Sequence, residues 1–148
     1  MEKQHVLLHT CTIPVRWSDI DAVGHVNNAN YFTYLEQARA SWLDRIGAAK
    51  CIVNPEQGPV IVTTACTFLI PVFYPADLMI KMFAGPPGSS SFETSYEIRD
   101  AADPNTLYAT GSARIVWIDH NKGRSIPLPP SIRASVIAGN GKRTQHDT

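Results

Sequence analysis

Asp19 and Asp21 stand two residues apart in a short stretch that continues through Gly24, His25, Val26, Asn27 and Asn28. A carboxylate in such a place acts as general base or nucleophile when an electrophilic carbonyl is held beside it. A helix starting at the asparagines would supply the other half of the chemistry. Its first N–H groups lack partners within the helix and lie at the positive end of its dipole. A carboxylate facing those amides makes an acyl-transfer site, one group attacking and the other receiving the developing oxyanion. The residue types leave other roles open. Turn aspartates often bond their own backbone, and His25 suits a structural hydrogen bond as well as the positioning of a water. Asn27 suits a helix cap, and Gly24 suits backbone freedom or close approach of a substrate.

The helix that must position these groups is visible in the spacing. Tyr31, Tyr34, Leu35, Ala38, Trp42 and Ile46 follow in steps of 3, 1, 3, 4 and 4, one buried face of a 3.6-residue helix. The spacing predicts a helix over 28–46, with Asn27 as N-cap and Gly47 as the left-handed residue beyond its end. Phe32 lies off this stripe and points to a second buried surface. Glu36, also on the helix, suits pairing with Arg39 one turn on better than chemistry. Residues 5–17 read as a strand before the Asp-rich turn. Beyond the Asn54-Pro55 and Gly58-Pro59 turn signals, four strands are predicted near 60–70, 78–84, 91–99 and 107–119. The first of these is apolar enough to be covered on both faces. A short helix over 131–138 and a polar, flexible tail over 139–148 complete the reading.

One domain, residues 1–138 plus that tail, is what 148 residues allow. Thirteen basic and thirteen acidic residues cancel, so no overall field draws nucleic acid. No apolar run approaches the roughly 20 residues of a membrane span. Residues 1–10 lack the basic and apolar regions of a secretory signal. Cys11, Cys51 and Cys66 are odd in number and widely spaced, which argues against a disulfide framework or zinc site. The cytoplasm is the expected location. Neither Cys66, in an apolar strand, nor Cys11 beside His9 has an evident activating base. No Walker or dinucleotide glycine loop occurs, so neither ATP nor NAD is implied.

The chain resembles the hotdog-fold acyl-CoA thioesterases, specifically the 4-hydroxybenzoyl-CoA thioesterase-like group. RWSDIDAVGHVNNANY, Arg16 to Tyr31, carries the most specific part of the likeness. FLIPVFYPADL, Phe68 to Leu78, and DHNKGRSIPLP, Asp119 to Pro129, extend it, and overall it spans roughly Cys11 to Val136. The resemblance implies an α+β hotdog fold, a long central helix wrapped by an antiparallel sheet of about five strands. It implies two chains paired edge to edge, as a homodimer or homotetramer, with active sites at the subunit interface. It makes the acidic residue three before Gly24, Asp21, the catalytic base or nucleophile, and the backbone amide of Asn28 the oxyanion donor. The His25–Asn28 stretch, continuing to Tyr31, also resembles plant-type acyl-carrier-protein thioesterases, in which a histidine of such a motif contributes to catalysis, and this makes His25 an auxiliary candidate. Tyr31 and Phe68 would line the acyl pocket. Ser89, Ser90 and Ser91 suit a phosphate or pantetheine contact as well as a plain surface turn, and Lys122 and Arg124 suit nucleotide phosphates as well as solvent. The implied activity is hydrolysis of an acyl-CoA or acyl-carrier-protein thioester, with no metal and no cofactor beyond the coenzyme A of the substrate. A hotdog hydratase or dehydratase and a non-catalytic acyl-thioester binding protein are the alternatives.

Overall fold

A computed structural model describes residues 5–52 and 54–146 of the chain. Strand β1 (Val6–Pro14) leads through a 3-10 turn (Trp17–Asp19) into helix α1 (Asn28–Arg45). A second 3-10 turn (Ala49–Ile52) precedes β2 (Gln57–Phe68), β3 (Asp77–Ala84), β4 (Ser91–Asp100), β5 (Leu107–Asp119), the two-residue β6 (Arg124–Ser125) and helix α2 (Pro130–His146). The strands form one antiparallel sheet in the order β1-β3-β4-β5-β2, with β6 paired to β5. This is the hotdog architecture, a sheet curled about one helix.

Helix α1 forms where its spacing places it because one face meets the sheet. Tyr31, Tyr34, Leu35, Ala38 and Trp42 are buried, with Leu43 beside them. They meet the inward rows of the strands, among them Ile80, Met82, Phe92, Tyr96, Ile98, Ile115 and Trp117. Each large side chain moved out of water here contributes about 1.5–3 kcal/mol. Asn27 caps the helix through its side chain, which accepts from the Ala29 N–H at 2.9 Å. At the other end Gly47 (φ 79) donates to Asp44 and Ala48 donates to Leu43, a Schellman closure.

Three features differ from the sequence reading. Strand β2 lies at the edge of the sheet, so Val62, Thr63, Thr64 and Ala65 are exposed rather than covered on both faces. Its long apolar run reflects a side left open in the single chain. Ile46 is the helix C-cap and only half-buried. Helix α2 runs past residue 138 to His146, broken at Gly139. That residue has φ 68, and a Cβ there would lie 2.0 Å from Val6 Cγ1, so only glycine lets α2 close onto β1. Among the described residues no helix is long and apolar enough to cross a membrane.

His9, on β1, is buried against α1. Its Nε2 is 2.7 Å from Ser41 Oγ, and its Nδ1 accepts from Arg45 Nε at 3.1 Å. Burial, then the Arg45 charge, pushes its pKa below the ordinary histidine value. With Nδ1 accepting, Nε2 carries the proton and donates to Ser41. The pair is therefore a brace between strand and helix, because a base for Ser41 would need Nε2 bare.

Candidate active site

The loop between β1 and α1 is built around Asp19, which is buried at 2% exposure. Its carboxylate accepts from the Arg16 amide at 3.0 Å, the Arg16 guanidinium at 3.1 Å and the Tyr34 hydroxyl at 2.7 Å. Burial alone would raise its pKa, but these donors outweigh that and hold it below the usual carboxylate value. Tyr34 moves the opposite way: burial and donation to Asp19 push its pKa well above that of free tyrosine. The main-chain carbonyl of Asp19 also accepts twice, from the Asn27 N–H at 3.0 Å and from Asn30 Nδ2 at 2.9 Å. Asp19 thus ties the loop to the first two turns of α1. It pairs with Arg16, as suits a structural role.

Asp21 sits on the loop that Asp19 anchors. Ile20 and Val26 form an antiparallel bridge, and the Asp21 N–H donates to the His25 carbonyl at 3.1 Å. The turn between them closes as Gly24 N–H donates to the Asp21 carbonyl at 3.0 Å. Gly24 has φ 101, a conformation L-residues resist, so the turn requires glycine. The half-buried Asp21 carboxylate accepts from the Val23 N–H through Oδ1 at 2.9 Å. Among the described residues nothing donates to its Oδ2. Where α1 begins, Asn27 satisfies Ala29 through its side chain and Asn30 through its carbonyl. The Asn28 N–H has no acceptor among the described residues. One loop therefore carries a carboxylate oxygen and a first-turn helical amide that the protein itself leaves uncommitted. A carbonyl brought between such groups is open to attack by the first and polarised by the second.

Around this loop lies an apolar surface. Tyr31 packs edge-on to Phe68, ring centroids 4.8 Å apart. Burial, foremost, raises the pKa of the Tyr31 hydroxyl, keeping it neutral. His25 meets Phe73 edge-on at 6.1 Å. The Val72 carbonyl accepts from the Val26 N–H at 2.9 Å, which ties the β2–β3 connection to the loop. Leu69, Ile70, Phe73 and Tyr74 of that connection are exposed, as are Trp17 and Val23. Val72 and Phe73 are neighbours of the site to which the sequence reading gave no site role, though both lie in the FLIPVFYPADL stretch. Their signal was the unusual apolarity of 68–74 between two strands.

The other candidates lie elsewhere. Ser89 and Ser90 occupy the β3–β4 turn and Ser91 opens β4, at the far end of the sheet from Asp21. Ten-residue β4 lies between, roughly 30 Å at about 3.3 Å per residue. There the Ser90 carbonyl accepts from Trp117, and the Gly88 and Ser89 carbonyls accept from Arg133. Lys122 and Arg124 share that end, beyond β5. Glu36 is exposed and makes no ion pair with Arg39. Arg39 turns instead to the Tyr96 hydroxyl at 3.3 Å, which bonds Thr94 at 2.7 Å. The three cysteines are free, and burial raises each thiol's pKa, the reverse of what a nucleophile needs. Among the described residues no group of three or more His, Cys, Asp or Glu is placed to hold a metal ion.

Comparison with known proteins agrees with the fold. The family model of the thioesterase-like superfamily matches residues 15–136. The Arabidopsis thaliana chloroplast protein named acyl-acyl carrier protein thioesterase ATL3 is 31% identical over 134 residues, 87% of this chain and 67% of its own. Among solved structures, the PA2801 protein of Pseudomonas aeruginosa, provisionally assigned as a thioesterase, superposes with a TM-score of 0.83. It is 42% identical, over 88% of this chain and 98% of its own. A provisionally assigned acyl-CoA thioesterase of Xanthomonas campestris reaches a TM-score of 0.72 at 34% identity, over 82% and 99% of the two chains. The family match takes in the Asp21 loop, helix α1 and strands β2 to β6, and on it the chain belongs to the thioesterase-like superfamily as a hotdog-fold thioester hydrolase.

Proposed function

We propose that the chain hydrolyses an acyl-coenzyme A thioester to the free acid and coenzyme A, with Asp21 as base or nucleophile and the Asn28 N–H as oxyanion donor. The observation that carries this reading is the pinned loop. It holds an uncommitted Asp21 oxygen and the uncommitted Asn28 amide on one piece of backbone, each within a few residues of an anchor to Asp19 or His25. The thioester carbonyl oxygen accepts from Asn28 N–H, with Gly24 leaving room beside it. Asp21 then attacks the carbonyl carbon, to be regenerated by water through a mixed anhydride, or takes a proton from a water that attacks. Either way the C–S bond breaks, the thiolate leaves and is protonated, and water supplies the acid's second oxygen. One preorganised amide of this kind contributes about 3 kcal/mol to the barrier. A thiolate leaves readily, which spares the site a strong general acid. No cofactor is required beyond the coenzyme A of the substrate. His25 helps to place the water, while Tyr31 and Phe68 line the acyl pocket.

The names of relatives, an acyl-carrier-protein thioesterase and an acyl-CoA thioesterase, support a thioester carried on pantetheine. Zero net charge gives no bias between coenzyme A and an acidic carrier protein. A hydratase would want an Asp–His pair working together. Among the described residues the Asp21 and His25 side chains share no hydrogen bond, the link between them running through backbone. Three free cysteines suit a reducing cytoplasm. The open edge of β2 supports pairing with a second copy, since an unpaired edge is a template for another strand. The expected particle in solution is a dimer near 33 kDa, twice 16.3 kDa, or a tetramer of twice that. Sedimentation as a 16 kDa species would remove the edge-pairing reading. A panel of acyl-CoAs with a thiol-reactive dye tests the activity. Thiol release with one equivalent of acid is expected; tight binding with no thiol over hours would leave only a binding protein.

A further inference from the structure

Between α1 and the β2–β5 side of the sheet lies a cavity of about 170 Å³. Its walls are hydrocarbon: Trp42 and Leu43 from the helix, Ile61, Phe92, Ile115 and Trp117 from the strands. Glu36 and Arg39 also border it. We propose that this cavity seats the distal end of a straight fatty acyl chain whose thioester lies at Asp21, making the substrate class acyl groups of about ten to sixteen carbons. The assignment rests on the thioesterase reading above and deepens it.

Two walls run from the Asp21 loop to the cavity. Along α1, successive residues turn by about 100°, so Asn28, Phe32, Arg39 and Leu43 fall within about 60° of one another on one flank. Phe32, off the buried stripe and half-buried, belongs to that flank. Along β2, Phe68, Cys66, Thr64, Ile61 and Pro59 stand opposite Ala109, Gly111, Ala113, Ile115 and Trp117, and so face the helix. The row begins with Phe68 against Tyr31, near the start of α1, and ends at Ile61 and Pro59 in the cavity. Thr64 and Phe68 of this row are exposed and Cys66 half-buried, so the space between the two walls is not filled by the chain's own side chains along the β2 edge.

Length then sets the substrate class. Glu36, where the cavity begins, is eight residues beyond Asn28, about 12 Å at 1.5 Å per residue. An extended hydrocarbon advances roughly 1.3 Å per carbon for bonds near 1.5 Å, so about nine or ten carbons reach the mouth. A dry cavity of about 150 Å³ lined by Leu, Ile and Phe accepts benzene, so the space seen here holds about six more. No described buried side-chain nitrogen or oxygen lacks a hydrogen-bond partner. Beyond Glu36 and Arg39 at its border, the cavity offers an occupant only hydrocarbon.

Two of the three tryptophans are in the cavity wall, and the third, Trp17, is 76% exposed. The test uses fatty acids carrying bromine, a heavy-atom quencher, at either end. On the full-length protein, 16-bromohexadecanoate is expected to quench the blue-edge emission of Trp42 and Trp117, and 2-bromohexadecanoate to leave it. Quenching that is equal for both, or absent because a second copy's side chains fill the cavity, overturns the proposal. Kinetically, kcat/KM should rise about 3- to 4-fold per carbon from decanoyl- to tetradecanoyl-CoA, the worth of a buried methylene. In Ala40→Phe, which puts a ring in the cavity, the ratio of tetradecanoyl to butanoyl kcat/KM is expected to fall at least 30-fold; an unchanged ratio in a folded variant overturns the proposal. The quenching requires no turnover. Loss of all thiol release with end-selective quenching intact would sink the thioesterase reading and leave the chain site standing.

Discussion

Asp21→Asn is expected to lower thioester hydrolysis by about 10²- to 10⁴-fold, the range for loss of a positioned acid or base, while the protein stays folded. The asparagine side-chain oxygen can still accept from the Val23 N–H, which now bonds Asp21 Oδ1. The main-chain bonds from Asp21 to His25 and from Gly24 to Asp21 do not involve the side chain. The loop therefore keeps its shape and loses only its anionic oxygen. The loss should appear in kcat with KM little changed, since the carboxylate acts on the transition state. Circular dichroism and the melting temperature should match the parent. Activity within a few-fold of the parent would remove Asp21 from the mechanism.

Asp19→Ala is expected to damage both stability and turnover, by a different route. Its carboxylate is the acceptor for the buried Tyr34 hydroxyl, and removing it leaves that donor unpaired, at about 1–3 kcal/mol. The Arg16 ion pair contributes little, because Arg16 is 69% exposed and screened by water. For a chain of this size 1–3 kcal/mol corresponds to roughly a 2–12 °C fall in melting temperature. Turnover should fall with it, since the anchor of the Asp21 loop is cut from α1. Tyr34→Phe, which leaves Asp19 its two Arg16 donors, should cost less on both counts. The pH dependence has a defined sign. The carboxyl of Asp19 is held below its unfolded value near 3.8, so its contribution is complete above that pH. It fades as pH falls through the lower folded value. Acid denaturation of Asp19→Asn should lack that component. A variant melting like the parent at neutral pH would show that Asp19 is not the anchor.

The helix and the strand order were legible because burial imposes period. Tyr31, Tyr34, Leu35, Ala38 and Trp42 announce their shared face, and Asn27 and Gly47 mark its ends. Strand alternation in 91–99 likewise survives as Phe92, Thr94, Tyr96 and Ile98 buried in turn. What stayed hidden is contact across unrelated periods. Tyr34 reads as one more apolar position, and nothing local says that its hydroxyl reaches Asp19, fifteen residues back. Arg39 sits one turn from Glu36, yet the helix packs so that Tyr96, fifty-seven residues on, offers the closer partner. The exposure of β2 was equally out of reach, because an apolar run cannot say whether its cover comes from its own chain. Nor could the sequence show that sheet topology carries the Ser89–Ser91 stretch, read as an anion or pantetheine contact or a plain surface turn, to the opposite end of the single chain from Asp21. That Asp21, Gly24 and Asn28 share one loop is legible because only eight residues span them.

The break at Gly139 gives β1 and α2 a common fate. With Val6 Cγ1 standing where any side chain at 139 would begin, the opening strand and the closing helix act as a clasp, each blocking the other's release. Each covers the other, so a deletion within β1 bares the face of α2 that packs on it, and a deletion within α2 bares β1.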